Sequence, residues 1–200
     1  MKVEELKKLP IVVSILERLR AELSPALTYH NVDHTLDVLE EVVLYASEAN
    51  LDQASVELLV IAAAYHDAGF LFQANENESK GAELAAKAMR LDPKYSENQI
   101  ELVQQMIVDT TMRVTPNGLV QIPSSELSGY LLDADLSNLG RTDFFEKGKL
   151  VLQELRLNSE KEFLKNSLKM LMAHKWHTPT AHRLRQSQKE KNLIALRSLL

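Results

Sequence analysis

Apolar residues recur at three- and four-residue steps along most of this chain, in segments separated by polar, proline or glycine breaks. The first segment, Val3 to Leu23, sets Leu6, Leu9, Val13, Leu16, Leu19 and Leu23 on one helical face. Pro10 either divides it or sits near a helix start, and Ser24-Pro25 ends it. Val32, Leu36, Leu39, Val43 and Ala46 make the stripe of a second helix. Asn50-Leu51-Asp52 then turns into a run, Leu58 to Ala64, that is apolar on every face. Consecutive alanines and leucines favour helix over strand there, and a helix apolar all round belongs in the middle of a domain. Asp52 is its expected N-cap and Gly69 its expected C-terminal stop. His66 and Asp67 then fall in the last turn, where the partial negative charge of a helix end favours a cation.

A polar loop, Gln73 to Ser79, precedes a helix through Met89 that Asp92-Pro93 closes. Ser96-Glu97-Asn98-Gln99 reads as a capping box ahead of Ile100, Val103 and Ile107. Residues 111–123 form the longest irregular stretch, with Pro116-Asn117-Gly118 as a turn between two very short strands. Helices resume at Ser124, continue from Thr142 through Phe145, Leu152 and Leu155, and restart at a second capping box, Ser159-Glu160-Lys161-Glu162. A basic segment, His174 to Arg185, leads to a short C-terminal helix. The expected fold is all-α: a single compact, non-bundle helical domain over residues 1–200 with one irregular loop around 111–123.

Composition narrows the chemistry. With 200 residues the chain can bury a full core, and a 45% hydrophobic, 26% charged balance is that of a soluble globular protein. A net charge of −5 argues against a general nucleic-acid surface. No apolar run approaches the roughly 20 residues of a membrane span, and Met1 to Pro10 lacks a signal-peptide apolar region. The expectation is a cytoplasmic protein with no membrane partner. The absence of cysteine excludes disulfides and thiolate metal sites and fits a reducing compartment. Imidazole and carboxylate remain as metal ligands, a set suited to Mn, Fe, Co, Ni or Zn, while Mg prefers oxygen.

Three places carry such ligands: His34, His66-Asp67 and Asp133-Ala134-Asp135. The dipeptide alone reads equally as a buried, hydrogen-bonded His-Asp pair. Asp133 and Asp135 follow the apolar Tyr130-Leu131-Leu132, where a carboxylate costs free energy unless it is paired or metal-bound. Capping or salt bridging is the plainer use of one of these two.

In this order the three places resemble the HD-domain metal-dependent phosphohydrolases, in particular their small single-domain branch. The resemblance rests on Tyr29-His30-Asn31-x-x-His34-Thr35, Tyr65-His66-Asp67-x-Gly69 and Asp133-Ala134-Asp135-Leu136-Ser137-Asn138-Leu139-Gly140. It spans a motif-bearing core of about residues 28–140, with C-terminal helices over 141–200, where His174-Lys175 and Thr178-Pro179 are also similar to that branch. The resemblance implies an all-helical fold and one divalent metal (Mn, Fe, Co, Ni, Zn or Mg) held by His34, His66, Asp67 and Asp135. Asp135, not Asp133, matches the family's Ala-Asp-x-x-x-x-Leu pattern, which leaves Asp133 as a cap or supporting partner. Two imidazoles and two carboxylates leave two positions of an octahedron for water and a phosphate oxygen. The implied activity is hydrolysis of a small phosphate ester, a nucleotide being one such substrate, by metal-activated water. One departure stands out: Asn75 occupies the place of a further histidine that many members carry, in Asn75-Glu76-Asn77-Glu78-Ser79. It argues against the two-metal variants and keeps open an alternative, a catalytically weak HD module that binds a nucleotide or a protein partner. A metal-free helical scaffold is a third reading.

Around that core, Asp67, Glu76 and Glu78 are the candidates to orient or deprotonate water, and both glutamates also suit a solvated helix start. The expected partner is a small phosphorylated molecule. Its phosphate needs positive or hydrogen-bonding groups, and the candidates are His30, Lys80, Thr110, Arg141, His174, Lys175 and His177. The last three open a basic stretch that continues through His182, Arg183, Arg185, Lys189 and Lys191, which reads equally as a solvated basic face. Trp176, the single tryptophan, is a packing residue or a platform for a base. A homodimer is left open.

Overall fold

The computed structural model describes residues 8–116, 118–157 and 159–200. The start of the first amphipathic segment, Leu6 included, lies outside them, as does Asn117 of the expected turn. Helix α1 (Pro10–Glu22) begins at Pro10 itself, at a position where the missing N–H is no loss. Helix α2 (Val32–Glu48) is capped by the Asn31 side chain, which accepts from the Asp33 and His34 amides at 2.9 and 3.3 Å. Helix α3 (Gln53–Tyr65) is capped by Asp52, as expected, through bonds of 3.0 Å from both Ala54 and Ser55 amides.

Helix α3 is the centre of the molecule. It packs against α1, α2, α4 (Asn77–Met89), α5 (Glu97–Asp109) and α6 (Glu126–Asp135), and every residue from Leu58 to Tyr65 is buried. Each fully buried leucine, valine or isoleucine there contributes roughly 1.5–3 kcal/mol of transfer free energy. With the 3₁₀ turn that follows, Gln53–Leu71 is long and apolar enough to cross a membrane by composition alone, contrary to the expectation of no such run. Its apolar surface lies mostly inside the core. Gly69 is not the stop that was expected. Helix α3 ends at Tyr65, and Gly69 lies within the 3₁₀ turn Ala68–Leu71.

The capping box at Ser96 and Gln99 forms as expected. The irregular stretch carries a two-stranded hairpin, β1 (Arg113–Thr115) against β2 (Gly118–Val120), antiparallel with Val114 opposite Leu119. After α6 comes a 3₁₀ turn, Ser137–Gly140, then α7 (Phe144–Glu154) and α8 (Glu160–Ala173), with Ser159 accepting from the Glu162 amide. The C-terminal helix is longer than expected. Thr178 caps α9 (Pro179–Ser198) with Pro179 at its first position, so most of the basic segment is itself helical.

Two hydrophobic clusters hold these helices. The larger draws on α1 to α6 and on Ala181 of α9. The smaller joins Leu139, Phe144, Leu171 and Leu196 from the C-terminal elements, and Trp176 packs against both. Polar ties lock α9 in place. Asp133 accepts from the His177 and Thr178 amides at 2.8 Å each and from the Thr178 hydroxyl at 2.7 Å. Arg185 reaches both oxygens of Glu41 on α2 at 2.6 and 2.7 Å.

Candidate metal centre

Three ends meet at one point. His34 lies in the first turn of α2, His66 and Asp67 directly follow α3, and Asp135 closes α6. The Nε2 atoms of His34 and His66 are 3.2 Å apart. Asp135 Oδ1 lies 3.1 Å from His34 Nε2 and 3.6 Å from His66 Nε2. Asp67 Oδ2 lies 3.5 and 3.2 Å from the same two nitrogens. Atoms that share an ion at about 2.1 Å stand about 3.0 Å apart at right angles and about 3.4 Å apart at tetrahedral angles. The observed separations fall around these two values.

The donors of the cluster could hold a cation. His66 Nδ1 donates to the Ala63 carbonyl at 2.8 Å, so the neutral ring turns the lone pair of Nε2 towards the two carboxylates. Asp67 Oδ2 is buried and has no hydrogen-bond partner, although two imidazole nitrogens stand close to it. Burial alone would lower His66, but the Asp67 and Asp135 carboxylates raise it well above the usual imidazole value. Burial alone would raise the carboxyls, yet His66 holds Asp67, and His34 and His66 hold Asp135, below the ordinary range. Two carboxylates and two imidazoles thus draw in positive charge, and the donor set and orphaned oxygen fit a divalent ion held by His34, His66, Asp67 and Asp135. His34, His66 and Asp67 offer ligand atoms that all lie within 4.8 Å of one another.

Neighbouring side chains fix these ligands. Gln121, just past β2, donates from Nε2 to Asp135 Oδ2 at 2.6 Å and to the Thr110 carbonyl at 2.7 Å. Glu154 on α7 accepts from the Tyr29 and His30 amides at 2.7 and 3.0 Å and pairs with His30 Nδ1. That contact outweighs burial and raises His30 above its ordinary value. His30 also stacks on Phe70. Gly69 admits the start of α4 against the cluster, because a Cβ there would fall 1.9 Å from the Asn77 carbonyl oxygen.

A cavity of about 260 Å³ opens beside the cluster, and Asp67, Asp135 and His30 line it. Glu78 and Thr110 line it too. Burial, reinforced by the Asp67 and Asp135 charges, raises the Glu78 carboxyl. The Thr110 hydroxyl is committed to the Ile107 carbonyl at 2.7 Å, so it acts as a helix-end cap. The other candidates lie elsewhere. Glu76 is exposed and does not line the cavity. Lys80 pairs with Glu83 at 2.8 Å. Arg141 is tied to Asp143 and faces Asp37 and Glu41. His174 and Lys175 line a different cleft, with Trp176 and Lys189, and burial pushes His174 down to about 3. His177 contributes its backbone amide to Asp133. Sequence order misled here, because α9 packs on α2, on the Ser137–Gly140 turn and on the side of α6 that carries Asp133, and its basic residues do not line the cavity.

Gln121 and Glu154 were not anticipated. Both act from segments whose local pattern carries no motif, and only the folded chain brings them to the site. Asn77 and Asn138 also line the cavity, and the buried Oδ1 of each has no hydrogen-bond partner. Compared with protein-family models and with curated protein sequences, the chain finds no match.

Proposed function

We propose that the chain is a metal-dependent phosphohydrolase of the HD type that cleaves a small phosphate ester. The observation that supports this reading most strongly is the convergence of four ligand-capable side chains from three separate helix ends, two of which, Asp67 and Asp135, line one cavity. A bound divalent ion would supply a water of lowered pKa and neutralise charge on a phosphoryl oxygen.

The chain's own groups have distinct tasks. His34, His66, Asp67 and Asp135 hold the ion, and Gln121 fixes the Asp135 carboxylate. His30, whose contact with Glu154 favours its charged form, lines the cavity towards the phosphoryl group. Glu78 holds a proton more readily than an ordinary glutamate, which suits it to pass one to the departing alkoxide. The reaction joins a water oxygen to phosphorus, breaks the P–O ester bond, and yields an alcohol and inorganic phosphate.

A second reading, a nucleotide- or protein-binding module of weak activity, is favoured by one observation. Glu76 lies outside the cavity, so Glu78 is the one carboxylate beyond the ligand set on the wall among the described residues. A screen of phosphomonoesters and nucleotides with added Mn, Co, Ni, Zn, Fe or Mg tests the choice. Phosphate release that disappears in Asp67→Ala and His34→Ala is expected. Release that survives either change, or no release from any ester, overturns the enzymatic reading.

A further inference from the structure

The cavity beside the cluster is poor in positive charge. Among the described residues lining it there is no lysine and no arginine, and His30 is the only basic side chain. One divalent ion and a protonated His30 would offset the Asp67 and Asp135 carboxylates and leave one net positive charge towards a phosphoryl group. A polyphosphate chain would find no lysine or arginine on this wall among the described residues.

Away from the ligands and the two asparagines the wall is mostly apolar, with Leu136, Leu139, Phe144, Val151, Phe163 and Met170. A second cavity adjoins it, apolar apart from Lys149, Glu160 and Ser167. It measures about 370 Å³ and runs between α7 and α8 towards Leu196 and Leu199. Phe144, Gly148, Phe163 and Ser167 line both. Together they reach the size of small-molecule sites, about 300–1,000 Å³.

Gly148 stands at this junction, inside α7. A glycine within a helix costs about 1 kcal/mol relative to alanine. Packing does not require it: a Cβ there would meet only the Phe163 ring, at 3.8 and 4.0 Å. Gly69 and Gly81 differ, since a Cβ on either would fall 1.9 or 2.4 Å from a backbone carbonyl oxygen. A side chain at 148 would stand where the two cavities adjoin.

We propose that the substrate is a phosphate monoester of an apolar alcohol, with its phosphate at the His-Asp cluster and its hydrocarbon portion in the slot past Gly148. This rests on the hydrolase reading above and names its substrate class. Hydrolysis places the water oxygen on phosphorus and releases the apolar alcohol along the slot, with the proton from Glu78 completing its hydroxyl.

A homologous series of primary alkyl phosphates from ethyl to octyl separates the two claims, because leaving-group chemistry is nearly constant along it. With metal-loaded protein, kcat/KM should rise by up to about fourfold per added methylene until the slot fills. In Gly148→Leu the rise should stop at shorter chains, so the octyl-to-ethyl ratio falls. A non-hydrolysable series, ethyl- to octylphosphonate, gives the same comparison by calorimetry without turnover, and chain-length-dependent affinity is expected. Turnover that is flat or falls with length while nucleoside triphosphates are preferred overturns the substrate class and leaves the hydrolase reading intact. Absence of turnover with every ester sinks the hydrolase reading, and the phosphonate affinities then decide the slot: affinity independent of length rejects it. The wild-type series decides the matter even where Gly148→Leu does not fold, and Gly148→Ala serves as a milder second variant.

Discussion

The Nε2 atoms of His34 and His66 face each other at 3.2 Å, while His66 Nδ1 is already bonded to the Ala63 carbonyl at 2.8 Å. Two imidazole nitrogens cannot share that gap as donors, and both stand beside carboxylate oxygens. Protons or a metal ion must fill it. Because the carboxylates raise His66 above its ordinary value, a metal that binds there displaces protons. Metal affinity should therefore fall with acidification, by about tenfold per pH unit for each proton displaced. Calorimetric titration with Mn or Zn between pH 8 and 5.5 checks this, and pH-independent affinity would contradict it.

Gln121 orients Asp135 through the oxygen that does not face the histidines. Gln121→Leu should lower metal affinity by about 10- to 100-fold, the usual effect of removing a group that positions a ligand. Competition with a chromogenic chelator gives the number. An unchanged affinity would mean that Asp135 holds its position without help.

Two glycines should respond in opposite ways. Gly69→Ala drives a Cβ into the Asn77 backbone and should destabilise by about 1–3 kcal/mol or more. Gly148→Ala meets only ordinary contacts and should stabilise by up to about 1 kcal/mol. Urea denaturation of both variants is the test.

His30 and Glu154 couple the entrance of α2 to α7. His30 is raised above its unfolded value, so the stability it contributes is fully present below about pH 6.5 and is lost as pH rises through the folded value. His30→Asn should cost about 1–2 kcal/mol at pH 6 and less at pH 9. Chemical denaturation of both proteins at the two pH values checks the sign.

Most of the helices could be read from the chain because their boundaries are set locally. Asp52, Ser96 and Ser159 cap where their side chains allow, and the alanine-rich run before His66 has no polar face to leave exposed. The clustering of His34, His66-Asp67 and Asp135 was legible through their flanking residues, and the fold brings them together from three helix ends. What could not be read depends on long-range packing. The basic residues of 174–191 looked available for phosphate, but α9 faces Glu41 and Asp133, and among the described residues no lysine or arginine lines the cavity. Gln121 reaches Asp135 and Glu154 reaches His30 only through the fold, so no local pattern marks them. Gly69 looked like a helix stop, and the close passage of Asn77 is what requires it.

The most direct test is the metal stoichiometry of the purified protein after loading with Mn, Co, Ni or Zn and removal of free ion. Wild-type protein should retain one divalent ion per chain, while folded His66→Ala and Asp135→Ala should retain none under the same wash. Wild-type protein that takes up no ion, or folded variants that keep the full equivalent, would contradict a metal held by these four side chains.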